Sequence, residues 1–301
     1  MAKKTKIREG DEKQPLEQIK RWAVIAMFSD NELFDRLVLK GGNAVDLIHR
    51  LSARASVDLD FSMQHDFPKG IALFRNRVER TLKNTFRQHG YEVFDVKMKE
   101  KPSEISEEIA SFWGGYIIEF KLIESALYKR HSPDPNELRK YALKIGPGQK
   151  FLIDISRFEY TLDKQQKDFE DHRIYVYSPE MIVCEKLRAI CQQMPEYSPV
   201  IKRKRPGGAR ARDFLDIYTL VEPLKLDISS EKNMEILSEM FKVKKVPLGL
   251  LGRIGEYRDF HKTDFPAVIA TVKAGVNLEQ FDFYFDFTLE LVNQLKTLWD
   301  V

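Results

Sequence analysis

The sequence predicts an α+β chain: a mixed sheet with flanking helices up to about residue 177, then a helical region to residue 301. Two patterns carry this prediction. Short runs that alternate apolar and polar residues, among them 57–61 and 151–156, read as half-buried strands bounded by turn residues. From Ser178 onward apolar residues return at three- and four-residue steps instead, the period of packed helices. With 301 residues and 43% apolar content, the chain is long enough to bury the core of one or two domains.

Taken in order, residues 1–13 are charged and poor in apolar side chains, which predicts a mobile arm. Residues 16–28 read as an amphipathic helix carrying Trp22 and Phe28 inward, and 31–36 as a second helical turn. An apolar strand at 37–39 runs into Gly41-Gly42. A helix over 69–88 is closed by Gly90, and strands at 91–97 and 116–122 flank a Glu-rich stretch near 102–108. Pro133-Asp134-Pro135-Asn136 starts a short helix at 137–143, Gly146-Pro147-Gly148 ends it, and strands follow at 151–156 and 173–177. Ser178 as cap and Pro179 in the first turn open a helix carrying Lys186. Beyond residue 220 the helical segments fall near 232–241, 249–257, 266–274 and 281–299, whose Phe and Tyr residues read as packing rather than as a base-stacking surface.

The formal net charge of +3 is only weakly basic, so affinity for nucleic acid has to come from clustering. The densest cluster is 198–212, where Lys202, Arg203, Lys204, Arg205, Arg210 and Arg212 surround Pro206-Gly207-Gly208. Such a loop can follow a phosphate backbone, or can simply be solvated. The two cysteines, Cys184 and Cys191, lie one heptad apart in a single helix. Both then face the core, too far apart to bridge, and a reducing, cytoplasmic setting is expected. No apolar run approaches membrane-spanning length, and the N-terminal residues are too polar for a secretion signal, so no membrane partner is expected.

The chemistry concentrates in residues 38–61. In V-D-L-D-F, period two sends Asp58 and Asp60 to one face and Val57, Leu59 and Phe61 to the other. Neighbouring carboxylates repel unless a cation lies between them, and paired hard oxygens suit Mg²⁺ or Mn²⁺. Gly41 and Gly42, between a strand and a helix, let bare backbone approach a phosphate. Taken singly, D-x-D is commonly a solvated strand face and Gly-Gly a turn; together in one strand–helix–strand unit they point to phosphoryl chemistry on a nucleotide.

K-G-G-N-A at 40–44 followed by R-A-S-V-D-L-D-F at 54–61 resembles the signature of the AbiEii/AbiGii-type nucleotidyltransferase toxins of abortive-infection and toxin–antitoxin systems, within the DNA polymerase beta-like superfamily. E-K-L-R-A at 185–189 and R-D-F-L-D-I-Y at 212–218 match that family's later elements, while Asn43 stands where Thr is common. The resemblance spans about 38–220. It implies a nucleotidyltransferase domain over 14–177, a helical domain over 178–301 and a nucleotide between them. It further implies transfer of a nucleoside monophosphate from an NTP, with Asp58 and Asp60 as metal ligands. The third carboxylate is Asp154 in I-D-I, with Glu119 in I-E-F as the competing assignment. Lys40, Gly41, Gly42, Asn43, Arg54 and Ser56 would contact the nucleotide, and Lys186 would supply positive charge. Asp213 or Asp216, three apart on one helical face, would orient Lys186 or a substrate hydroxyl. The implied acceptor is the 3′ end of a tRNA, met by the 198–212 loop, and the implied protein partner is a cognate antitoxin in phage defence. Transfer to a protein hydroxyl and a non-catalytic RNA-binding module are the alternatives.

Overall fold

Seven strands form one mixed sheet: β1 (Val38–Lys40), β2 (Leu59–Ser62), β3 (Tyr91–Lys101), β4 (Gly115–Glu124), β5 (Phe151–Ser156), β6 (Gln165–Phe169) and β7 (His172–Val176), in the order β3-β4-β5-β2-β1-β7-β6. The computed structural model describes residues 9–56, 58–68, 70–144 and 148–300. β1 pairs with β7 and β2 with β5 in parallel; the remaining pairings are antiparallel.

Alternation along the central strands gives the sheet one apolar face and one polar face. Leu39, Phe61, Ile118, Phe120, Ile153 and Ile155 are buried on the first. Against it pack α1 (Glu9–Phe28) and, after the short α2 (Asn31–Arg36), α3 (Gly70–Gln88). Phe28 meets Phe61 at 5.9 Å between ring centroids, Phe86 meets Phe120 at 5.9 Å, and Trp22 meets Phe86 edge-on at 6.0 Å. The second face carries Lys40, Asp60 and Asp154 in one cross-strand row and faces the helical region.

That region begins with α4 (Pro179–Cys191), whose cap is Ser178: its hydroxyl accepts the backbone N–H of Met181 at 3.2 Å. α4 packs on α5 (Ala211–Leu224) and α6 (Glu231–Val243), and α7 (Phe281–Gln294) packs on α5. Phe214 stacks on Phe285 at 5.0 Å and meets Phe281 at 5.5 Å, so these aromatics form core, although Phe283 remains 43% exposed. Cys184 and Cys191 are free and buried. At the start of α5 the backbone N–H of Arg210 donates to buried His261 Nδ1 at 3.1 Å. No helix among the described residues is long and apolar enough to cross a membrane.

Several expectations need correction. α1 starts at Glu9, inside the segment read as an arm; residues 1–8 lie outside the described residues. β2 starts at Leu59, so Asp58 precedes the strand in a bend rather than sharing it with Asp60. β3 continues to Lys101, and β6 was not anticipated. Both are edge strands exposed along much of their length, which removes the alternation that betrays a half-buried strand. The short helix after Asp134 spans Pro135–Lys140 rather than 137–143, because the Asp134 carboxylate caps the N–H of Asn136 at 2.8 Å. Ile145, Gly146 and Pro147 lie outside the described residues.

Two tests follow from this packing. A Cβ at Gly115 would fall 2.1 Å from the carbonyl oxygen of Ile155, whereas one at Gly208 meets nothing within 4 Å. Gly115→Ala is expected to lower unfolding free energy by about 1–3 kcal/mol. Gly208→Ala should change it by less than about 0.5 kcal/mol; both are read from denaturant midpoints. Burial, with Arg210 adding and Asp213 opposing, pushes His261 down to about 4. A depressed folded pKa contributes stability that is present above the ordinary histidine value and lost as pH falls from about 6.5 to about 4, on the order of 3 kcal/mol. His261→Asn keeps an acceptor for the Arg210 N–H but cannot titrate, so its loss of stability between pH 7 and pH 4.5 should be smaller by about 2 kcal/mol or more. An unchanged loss would remove His261 from the acid limb.

Candidate active site

Register builds the site. Lys40 on β1 pairs with Asp60 on β2, which pairs with Asp154 on β5, so three charged side chains leave one face in a row. Glu119 pairs with Leu152, one row farther along, and its carboxylate takes Lys150 Nζ at 3.0 Å. Of the two carboxylates left open by the sequence, Asp154 is therefore the one beside Asp60.

β1 ends in a short helix, Gly41–Asn43, that continues as the π-helix Ala44–Ile48. Gly41 has φ +68, and a Cβ there would stand 2.7 Å from Asp60 Oδ2. The glycine thus meets two requirements, a left-handed backbone and a carboxylate pressed against the turn. Ser56 lies against Gly42: its Oγ is 3.0 Å from where a Gly42 Cβ would be. Asn43 is fully buried; its amide donates to the Asp58 carbonyl and, at 3.4 Å, to Ser56 Oγ. Asn43 fastens the signature loop to the turn, while its Oδ1 has no partner among the described residues.

Electrostatics separate the carboxylates by role. Burial pushes Asp60 up to about 6; Lys40 opposes this, and Asp154, Glu185 and Asp58 add to it. Burial and the neighbouring Asp154 also raise Asp58, against the pull of Lys101, Arg212 and Lys20. Such groups are short of positive charge, and their hard oxygens suit a divalent ion. The Lys101 ammonium, by contrast, donates to Asp154 Oδ2. Among the described residues no group of three or more acidic, His or Cys side chains is gathered closely enough to hold a metal. Asp58, Asp60 and Asp154 carry the hard oxygens that Mg²⁺ or Mn²⁺ takes, but in this arrangement they are not drawn together into a site.

Asp213 and Asp216 behave in the opposite way. Lys186 Nζ, on α4, donates to Asp213 Oδ1 at 3.1 Å and to Asp216 Oδ2 at 2.6 Å. Arg54 binds Asp216 in bidentate fashion at 2.9 and 2.6 Å, and Arg210 pairs with Asp213. Burial alone would raise both carboxyls, but Arg210 and Lys186 hold Asp213 far below its ordinary value, and Lys186 and Arg54 hold Asp216 down. Arg54, Asp216, Lys186, Asp213 and Arg210 form a buried ladder from the signature loop to α5. Both aspartates accept from Lys186. The loop is fastened again where the Ala55 N–H donates to the Thr271 carbonyl at 2.9 Å and the Lys273 N–H to the Ala53 carbonyl at 3.0 Å.

Lys40 does not point at the glycine turn. Its ammonium donates to Ser156 Oγ at 3.1 Å and to Glu185 at 3.4 Å, within a buried network that includes Glu159, Arg188 and Lys244. In the basic loop, Arg203 donates to the carbonyls of Gln192, Gln193 and Met194 and to Ser198 Oγ, closing the C-terminal end of α4. Lys202 pairs with Glu108. Lys204, Arg205 and Arg212 are exposed and make no ion pair among the described residues.

Sequence reasoning missed Lys20, Lys101, Glu185 and Arg188. Glu185 and Arg188 were in plain view in E-K-L-R-A, where they hold Lys40 and Glu159. Lys20 had a signal too: it shares a helical face with Ala23, Val24 and Met27, and it is 2% exposed. Lys101 had none, since its contact depends on where an edge strand ends.

In fold the chain is similar to JHP933 from Helicobacter pylori, with TM-score 0.51 and 17% identity over 96% of this chain and 94% of that one. A second crystal structure from H. pylori, described as a candidate nucleotidyltransferase, gives TM-score 0.50 and 16% identity over 97% of this chain and 99% of the other. At these identities the likeness is one of fold. No curated protein matches the chain. The family model of the nucleotidyl transferase AbiEii toxins of type IV toxin–antitoxin systems matches residues 23–287. With that match covering most of its length, the chain belongs to the AbiEii nucleotidyl transferase toxin family.

Proposed function

We propose that this AbiEii-family protein transfers a nucleoside monophosphate from an NTP to the 3′-terminal hydroxyl of a tRNA, blocking translation until a cognate antitoxin neutralises it. The observation that carries the proposal is the contact of the Asp60 carboxylate with the Gly41 turn, which sets an electron-rich, desolvated carboxylate beside backbone that admits a phosphate. Mg²⁺ or Mn²⁺ held by Asp58, Asp60 and Asp154 would supply charge neutralisation on the phosphates and acidify the acceptor hydroxyl.

The chain's own groups then divide the work. Gly41 and Gly42 admit the phosphates, with Ser56 beside them. The acceptor oxygen forms a bond to the α-phosphorus, the bond from that phosphorus to the β-bridging oxygen breaks, and pyrophosphate leaves with the electron pair. The hydroxyl proton departs toward Asp154. Arg54 and Lys186, charged and fixed by Asp213 and Asp216, present positive potential without having to reorganise. Exposed Lys204, Arg205 and Arg212 offer the RNA backbone a salt-sensitive contact.

Incubation with each labelled NTP, Mg²⁺ and either total tRNA or cell protein should place label in RNA. Asp58→Ala should lower that labelling by at least about 10³-fold, the scale expected when a key electrostatic group is lost, with circular dichroism unchanged. Label in protein instead would replace the acceptor, and labelling that survives in Asp58→Ala would overturn the site.

A further inference from the structure

Beyond Asp154 the cleft between sheet and helical region opens into a cavity of about 950 Å³. Its wall includes Asp154 but none of Gly41, Gly42, Ser56, Asp58, Asp60 or Lys186. The glycine turn that would take the NTP phosphates is not part of this wall, which adjoins the site through Asp154, Lys40 and Arg210. Pockets of roughly 300–1,000 Å³ are the size that encloses a nucleotide-sized ligand.

Two features of the wall specify a ligand. Cationic side chains outnumber carboxylates on the wall, seven to four, although the buried Lys40, Arg188 and Lys244 among them are held by Glu159 and Glu185. Gln192, 8% exposed, contributes to the same wall. The half-buried Trp113 supplies an aromatic surface on the same wall, beside apolar Ile105 and Ile109. An aromatic side chain for a base and positive charge for its phosphate together describe one nucleotide. Lys202 stands on the cavity wall and leads into Lys204 and Arg205, so a chain of further phosphates has a basic path outward.

We propose that this cavity is the acceptor pocket: it takes the 3′-terminal nucleotide of a single-stranded RNA end, stacking its base on Trp113 and presenting its ribose hydroxyl to Asp154. The inference rests on the nucleotidyl-transfer reading and adds where the acceptor sits.

A short RNA carrying 2-aminopurine at its 3′ terminus tests it, because stacking on tryptophan quenches that base. Quenching is expected with the native protein and with Asp58→Ala, and is expected to vanish when the probe base is moved to an internal position. Trp113→Leu should abolish the quench and raise the KM for RNA about tenfold or more, the loss of one stacked base, while the KM for NTP stays constant. Trp113→Tyr should restore most of the RNA affinity, which a merely structural role for the ring would not require. Quenching that persists in Trp113→Leu, or that is competed away by NTP, would overturn the assignment, the latter by giving the cavity to the incoming nucleotide. Quenching without any NMP labelling of RNA would keep the pocket and remove the transfer reaction. Labelling in which Trp113→Leu leaves the KM for RNA unmoved would do the reverse.

Discussion

The parallel register between β2 and β5 is the constraint on which the site depends. Pairing Asp60 with Asp154, and on the other side with Lys40, decides which charges share a face and which residues are sent into the core. A slip by one residue would exchange Asp60 for Phe61 and place a carboxylate among Phe28, Phe86 and Phe120. The apolar face makes that slip prohibitive, so packing of α1 and α3 on one side of the sheet fixes the chemistry on the other.

Charge is handled in two distinct ways on the polar face. Asp58 and Asp60 are left short of compensation, with Lys101 reaching only Asp154, so their carboxyls sit above their ordinary range. In the helical region, Asp213 and Asp216 are over-supplied by Arg210, Lys186 and Arg54. The first arrangement favours an incoming cation. The second holds cations in place, and its buried pairs confer geometry more than stability.

The sequence disclosed the fold class, and the nearness of Asp60 to the glycine turn, because both rest on short-range patterns. Alternation marks β5, helical period marks α3 through α7, and Ser178-Pro179 marks the start of α4. Less was visible where a residue's role is set by a distant partner. Lys40 sits next to the glycines in the chain, yet its ammonium is claimed by Glu185 and Ser156 from other elements. Arg203 reads as part of a basic cluster, yet it is consumed by carbonyls at the end of a helix. Asp58 reads as a strand residue, but hydrogen bonding starts one position later, and Asn43 captures its carbonyl instead. Charged side chains look alike in a sequence; what distinguishes them is which counter-charge the tertiary fold delivers.

The backbone link between Ala53–Ala55 and Thr271–Lys273 has a temporal consequence. The loop carrying Arg54 and Ser56 is made well before Thr271–Lys273, the segment that pins it. Long-range closure of this kind has to await its second half. The loop therefore acquires its final shape only after the partner segment has left the ribosome, which for a member of a toxin family amounts to a delay written into the direction of synthesis.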